Sequence, residues 1–421
     1  MKIRAMLGGL CLLLILQFAG CDRVTPSVPN SAETGSSHEL RVAPEDRNQG
    51  FMLQSFVETP EGYFYGRNSP LDFGNLIYFC PRGESAFYPL CGKPNCSHQG
   101  RDCNAYYEGV SFGYYNGALY TIGYAPDNCM IEQVIKINPD GTDHTVVAEF
   151  DTSNMASFRP VFHHGKLYLL GSSDTSLPLE EQEDRLIVLN LADGSQTEPA
   201  SEALRETFLP EFYSFYGNKL YGFGAPDKSQ NYLAKDLHLV ELDATTGTLR
   251  FLTPTYTNSL YVTDSTLYYL EADWKTVTEA AGKSMGDSPD ETKAFRDSFF
   301  EGFTQPEIGF REYDLASRTV KNCGTPVKNP CQAIYDEDYI YLFTLPEEGR
   351  EGLTLYFLSR AYELLDQIDL PAGLGIGAVT SDRIFFFSSD SDSKISQSIT
   401  HYLDRSRIGS HQLELMPVEN Y

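Results

Sequence analysis

The chain is short of basic residues, of tryptophan and of long apolar runs, and each shortage narrows what it can be. Lys and Arg together number 32 against 58 Asp and Glu, for a formal charge of −26. Such a surface repels polyanions, so nucleic acid is excluded as a partner, and an anionic bilayer offers it no electrostatic foothold. A single Trp stands among 27 Tyr and 26 Phe. Tyr suits sheet positions that are buried at the ring and wet at the hydroxyl. A membrane-spanning helix needs roughly 20 apolar residues, whereas the longest apolar run, Met6 to Phe18, has about 13. No phosphate loop and no metalloprotease helix occurs, and no residue is singled out as catalytic.

That short run has another meaning. Lys2 and Arg4 precede it, and the small residues of Phe18-Ala19-Gly20-Cys21 follow it, which is the layout of a secretory signal. The exit resembles the lipobox read by bacterial lipoprotein signal peptidase. The resemblance implies cleavage after Gly20, acylation of Cys21, and a protein held on the extracytoplasmic side of the cell membrane by lipid alone. Residues 1–20 are then the signal peptide, and loss of Lys2 and Arg4 takes the charge to about −28. Residues 21–50 are rich in Ser, Pro, Asn, Asp and Glu and read as a disordered linker.

Residues 51–421 carry a repeat. A turn followed by an apolar strand recurs at Tyr115-Asn116-Gly117-Ala118-Leu119-Tyr120, His164-Gly165-Lys166-Leu167-Tyr168, Gly217-Asn218-Lys219-Leu220-Tyr221, Ser265-Thr266-Leu267-Tyr268, Glu337-Asp338-Tyr339-Ile340-Tyr341 and Asp382-Arg383-Ile384-Phe385. Glu61-Gly62-Tyr63-Phe64-Tyr65 is a fainter first copy. A second hairpin follows most copies, with turns such as Asp140-Gly141, Asp193-Gly194 and Thr246-Gly247. Two hairpins per unit at a period of about 50 residues predict an all-β protein, a β-propeller of seven four-stranded blades. A count of six or eight stays open because the first copy is faint. The pattern resembles pyrroloquinoline-quinone-like and YWTD-like propeller repeats, and propeller lipoproteins of Gram-positive bacteria, from about Phe51 to Glu419. Quinone and calcium ligands of those repeats are not recognisable, so none is carried over.

With strands lettered A to D from the axis outward, the tight A–B and C–D turns share one face. B–C loops and the connections between blades share the other, where insertions collect. One insertion, residues 271–306 in the fifth unit, is expected to be helical. Ser288-Pro289-Asp290-Glu291 has the form of a helix start, and Phe295, Phe299 and Phe303 recur every four residues beyond it. That stripe either docks on the propeller rim or meets a partner.

The other insertion lies between the first and second units and concentrates the chain's metal-binding chemistry. Cys91, Cys96, His98 and Cys103 follow one another as C-x4-C-x-H-x4-C. Three thiols and an imidazole are the donor types of a structural zinc. In an exported protein they are equally the material of disulfides, and free thiols are a third reading. Cys129, expected in the B–C loop of the second unit on the same face, is a further thiol or a disulfide partner. Cys80, at the far end of strand C, is left out. Cys323 and Cys331 flank the fifth–sixth junction and are candidates for a disulfide. His163-His164 reads as a turn, and Ser389-Asp390-Ser391-Asp392-Ser393 as a solvated loop. The expected function is a non-catalytic binding or scaffold propeller for an envelope protein, peptide or glycan. A glycan-active enzyme with carboxylates at the central channel is the alternative.

Overall fold

The computed structural model describes residues 55–421, apart from 70–73, 110, 126–127, 152–156, 173–183, 200, 227–236, 256, 258, 272–308, 329, 345–351 and 389–397. The signal segment, Cys21, the linker, and the fifth-unit stripe of Phe295, Phe299 and Phe303 therefore lie outside the described residues.

Seven sheets stand around an axis, each built from antiparallel strands consecutive in sequence, and the last strand of the chain joins the first sheet in parallel. Blade 1 comprises β1 (Phe56–Glu58), β2 (Gly62–Asn68), β3 (Asn75–Pro81), β4 (Ala86–Pro89) and a short β5 (Tyr106–Tyr107). Blade 2 comprises β6 (Phe112–Tyr115), β7 (Ala118–Ala125), β8 (Asn128–Ile137) and β9 (Thr145–Asp151). Blades 3 to 7 begin at Ser157, Phe208, Leu260, Pro330 and Leu374 and have four strands each. The count of seven follows the repeat. Among the described residues, helix is confined to Ser201–Glu206, between blades 3 and 4, and a single 3-10 turn at Arg405–Arg407. No described helix is long and apolar enough to cross a membrane.

The recurring sequence signals act where expected. Asn116-Gly117 and His164-Gly165 both place two successive residues at positive φ, which is the twist-matched hairpin turn that joins strands A and B. In β7, six successive residues from Ala118 are buried, because a blade packs both faces against its neighbours. Near the axis the blades come so close that side chains become a liability. A Cβ on Gly113 of β6 would sit 2.3 Å from Cβ of Phe162 in blade 3.

Tyrosines of the repeat are the recurring core residue. Tyr63, Tyr168, Tyr221, Tyr269 and Tyr341 are all below 2% exposed. Several give their hydroxyl to a carboxylate that a cation then balances. Tyr221 donates to Glu241 at 2.9 Å, with Lys219 3.1 Å from the same carboxylate. Tyr341 donates to Asp336 at 2.6 Å, and Arg405 is 2.8 Å away. Tyr63 donates to Asp382 at 2.6 Å, and Arg82 is 3.0 Å away.

The last of these triads crosses the seam where the ring closes. Among the described residues, the one strand that crosses from blade 7 to blade 1 is only two residues long, so other contacts help to join them. Arg82 reaches Glu58 at 2.9 Å and the Thr59 carbonyl at 2.8 Å on blade 1, and Asp382 on blade 7. Both oxygens of Glu58 accept from the Ser381 backbone N–H. Phe385 of blade 7 packs between Phe56, Tyr63 and Phe87, with ring centroids at 5.3, 4.9 and 5.8 Å. Glu419–Asn420, the last strand, then crosses from blade 7 and pairs in parallel with β4. Tyr421 stacks on Tyr88 at 5.0 Å.

Two expected outcomes follow. Glu58 is 1% exposed and Arg82 13%, so Arg82→Met strands a buried carboxylate and lowers unfolding stability by about 3 kcal/mol. Removing the exposed Arg407–Glu414 pair costs less than about 1 kcal/mol, and denaturant titration of both variants checks the contrast. Glu132 in β8 is buried beside its cross-strand neighbours Tyr124 and Phe150, and its Oε1 has no hydrogen-bond partner among the described residues. Burial pushes its carboxyl up to about 7 from an ordinary 4.5. The folded state therefore holds this proton more tightly than the unfolded chain, and stability falls as pH rises from 4.5 through 7. Glu132→Gln should gain about 2–3 kcal/mol at pH 8 and nothing below pH 4.5. Denaturation midpoints across that range measure it.

Candidate metal centre

The fourth strand of blade 1 is not continuous. β4 pairs with β3 through Tyr78↔Pro89 and Phe79↔Tyr88, and β5 resumes the same edge through Leu76↔Tyr106 and Asn75↔Tyr107. Ile77 joins the two halves. Its carbonyl accepts from Leu90 N–H and its own N–H donates to the Ala105 carbonyl, each at 2.8 Å. The chain leaves the strand after Leu90, runs through the Cys/His segment and re-enters at the residue where it left. Sequence reasoning had put this segment in the connection between blades. Instead it is an excursion from within strand D, because Tyr106 and Tyr107 complete the edge of blade 1 before the chain moves on to β6.

Tight local turns fold the excursion back on itself. Asn95 and His98 take left-handed conformations, with φ of 61° and 50°. Cys96 N–H donates to the Lys93 carbonyl at 3.4 Å, and Cys103 N–H to the Gly100 carbonyl at 2.9 Å. The Ser69 hydroxyl donates to the Gln99 carbonyl at 2.7 Å and fastens the loop to blade 1. The Leu90 carbonyl lies against Gly141 in the C–D turn of blade 2, where a Cβ would come within 2.2 Å of it.

As a result, one donor atom from each of Cys91, Cys96, His98 and Cys103 lies within 4.8 Å of the others. Cys91 and Cys103 are buried, Cys96 and His98 half-buried, and all three cysteines are free thiols. His98 Nδ1 lies 3.4 Å from Cys103 Sγ. The N–H of Ala105 donates to Cys103 Sγ at 3.4 Å, and the backbone N–H groups of Lys93 and Asn104 lie near Cys91. Burial pushes the Cys91 thiol up, but those two N–H groups and the thiols of Cys103 and Cys96 outweigh it and hold it below the usual range. Burial drives Cys103 up and His98 down.

The remaining expected residues are dispersed. Cys129 lies in β8 and not in a B–C loop, since β7 and β8 pair out to Ala125↔Asn128; its side chain is outside the described residues. Four donors converge without it. Cys80 ends β3 with its thiol turned to the Glu84 carbonyl at 3.4 Å, away from the cluster. Cys323, expected to bond to Cys331, is a free thiol at the outer edge of blade 5, beside Tyr362 and Glu312. Cys331 starts blade 6, and its side chain is outside the described residues. His163 ends a strand and His164 forms the turn. Ser389 to Ser393 lies outside the described residues. So does Gly282-Lys283-Ser284-Met285-Gly286, which has the Gly-x-Ser-x-Gly spacing of a nucleophile elbow.

Sequence spacing could not reveal the backbone donors or the pinch at Ile77, since both depend on where strand D resumes. Burial pushes the Cys80 thiol up to about 12, so at pH 8 only roughly one in ten thousand is thiolate. Cys80 should therefore resist iodoacetamide in the folded protein and react on unfolding, which mass mapping of the alkylated peptides measures.

No family model matches the chain, and no curated protein matches it. Solved structures do resemble it. One of two prolyl endopeptidases is 12% identical with a TM-score of 0.49, over 88% of this chain and 50% of that one. An oligogalacturonate lyase in complex with manganese is 11% identical with a TM-score of 0.44, over 85% and 88%. BamB from Moraxella catarrhalis is 11% identical with a TM-score of 0.38, over 82% and 84%. At such identities the chain is similar to these proteins in fold alone.

Proposed function

We propose that this protein is an exported, lipid-anchored propeller that binds an envelope protein, peptide or glycan and does not turn it over. One observation carries the preference for binding over catalysis. Glycan cleavage ordinarily needs two carboxylates flanking the bond, roughly 5 to 10 Å apart. The seven innermost strands, which face the axis, contain only two acidic residues among those described, Glu58 and Glu211. Glu58 is committed to Arg82 and Ser381 at the seam. The strands nearest the channel thus supply no free pair. A rigid scaffold that carries surface loops is the usual setting for binding residues.

The anchor belongs to the same reading. A positive start, a short apolar core and Ala19-Gly20-Cys21 support export and acylation at Cys21. A linker of about 29 residues would leave either propeller face able to point away from the bilayer.

Expression of the whole chain in a bacterium fed radiolabelled palmitate tests the anchor. Label and membrane association are expected, and Cys21→Ala should lose both. For the body, the purified chain is titrated calorimetrically with cell-wall glycan fragments and envelope peptides while reducing ends and free amines are assayed. Saturable binding without new ends is expected. New reducing ends that disappear in Glu211→Gln would replace this reading with the glycan-active one.

A further inference from the structure

We propose that Cys91, Cys96, His98 and Cys103 hold one zinc ion in a closed tetrahedral centre, and that this ion seals the interrupted outer strand of blade 1. The inference stands apart from the binding role, since it concerns only what holds this edge together.

The geometry is that of a coordination shell. Zinc binds thiolate at about 2.3 Å and imidazole nitrogen at about 2.0–2.1 Å, so the edges of a tetrahedral shell measure about 3.5 to 3.8 Å. The His98–Cys103 edge is 3.4 Å and all four donor atoms fit within 4.8 Å. A disulfide explains less. It would join two of the three sulfurs and leave a third thiol and an imidazole converging on the same point without a purpose. The nitrogen and sulfur donors match zinc and not the hard oxygen-seeking cations. Four protein donors fill the shell and leave no position for substrate, which makes the centre structural.

The Ala105 N–H donates to Cys103 Sγ, and such an outer contact orients a metal-bound ligand. In a compartment that oxidises thiols, a metal keeps them in one defined state.

The position gives the ion its role. Cys91 follows β4 by two residues and Cys103 precedes β5 by three. An excursion of this length has many conformations, and only Ile77 holds its two ends together in the β-ladder. Binding the ion ties the ends a second time. Because Glu419–Asn420 pairs with β4, whatever steadies β4 also steadies the strand that closes the ring.

The test uses the whole chain, purified under reductant and without chelator. Elemental analysis should find about one zinc per chain. Replacement by cobalt should produce the intense visible bands of a tetrahedral thiolate site. Cys96→Ser and His98→Ala should each weaken zinc at least about tenfold in competition with a chromogenic chelator, whereas Cys129→Ser and Cys80→Ser should leave it unchanged. If a variant does not fold, an organomercurial added to the unaltered chain should release zinc to the chelator. In hydrogen exchange, zinc removal should expose the amides of Ile77, Leu90 and Glu419 while that of Leu239 in blade 4 stays protected. Iron in place of zinc, a disulfide among Cys91, Cys96 and Cys103 with no metal, dependence on Cys129, no release by the mercurial, or unchanged exchange would each overturn the proposal.

Discussion

Everything in this propeller depends on joining its first blade to its last. The main strands of each blade are consecutive in sequence, and the one strand that crosses the gap, Glu419–Asn420, is only two residues long. Closure falls to a guanidinium. Arg82 comes from the C–D turn of blade 1 and sits between Glu58 of its own blade and Asp382 of blade 7, with the Tyr63 hydroxyl 2.6 Å from the same aspartate. Desolvating these charges is costly, and only the mutual satisfaction of all of them makes the arrangement tolerable. Around that polar knot, Phe385 fills the apolar gap and the C-terminal strand adds backbone hydrogen bonds at the outer edge.

The same chemistry recurs away from the seam and gives the acidic composition a structural share. Tyr221 with Glu241 and Lys219, and Tyr341 with Asp336 and Arg405, repeat the theme of a buried tyrosine donating to a carboxylate that a cation balances. A tyrosine ring fills the space between blades as phenylalanine would, but its hydroxyl needs a partner where it emerges. Part of the excess of Asp and Glu therefore serves the blade interfaces, and the remainder colours the surface.

Local signals in the sequence were legible because they are local. The hairpin turns at Asn116-Gly117 and His164-Gly165 need positive φ at both positions, and the residues there announce it. The spacing of those turns predicts seven units, and the sheets remove the alternatives of six or eight that the faint first copy left open. The Cys/His segment was equally visible as a donor set. Its placement was not, since a hydrophobic pattern as short as Tyr106-Tyr107 does not say that it completes the previous blade's edge. Cys129 was misplaced for a related reason: turn residues at the tip of a long hairpin look like a loop until the ladder is seen to continue past them.

The sequence by itself determined the blade architecture and the pool of candidate ligands, because period, turn chemistry and residue type are properties of short stretches. Only the tertiary structure decided which blade owns the cysteine excursion, which of the described thiols converge, and how the ring is closed. Those outcomes rest on contacts between residues as far apart as Glu58 and Ser381, and no local preference encodes them.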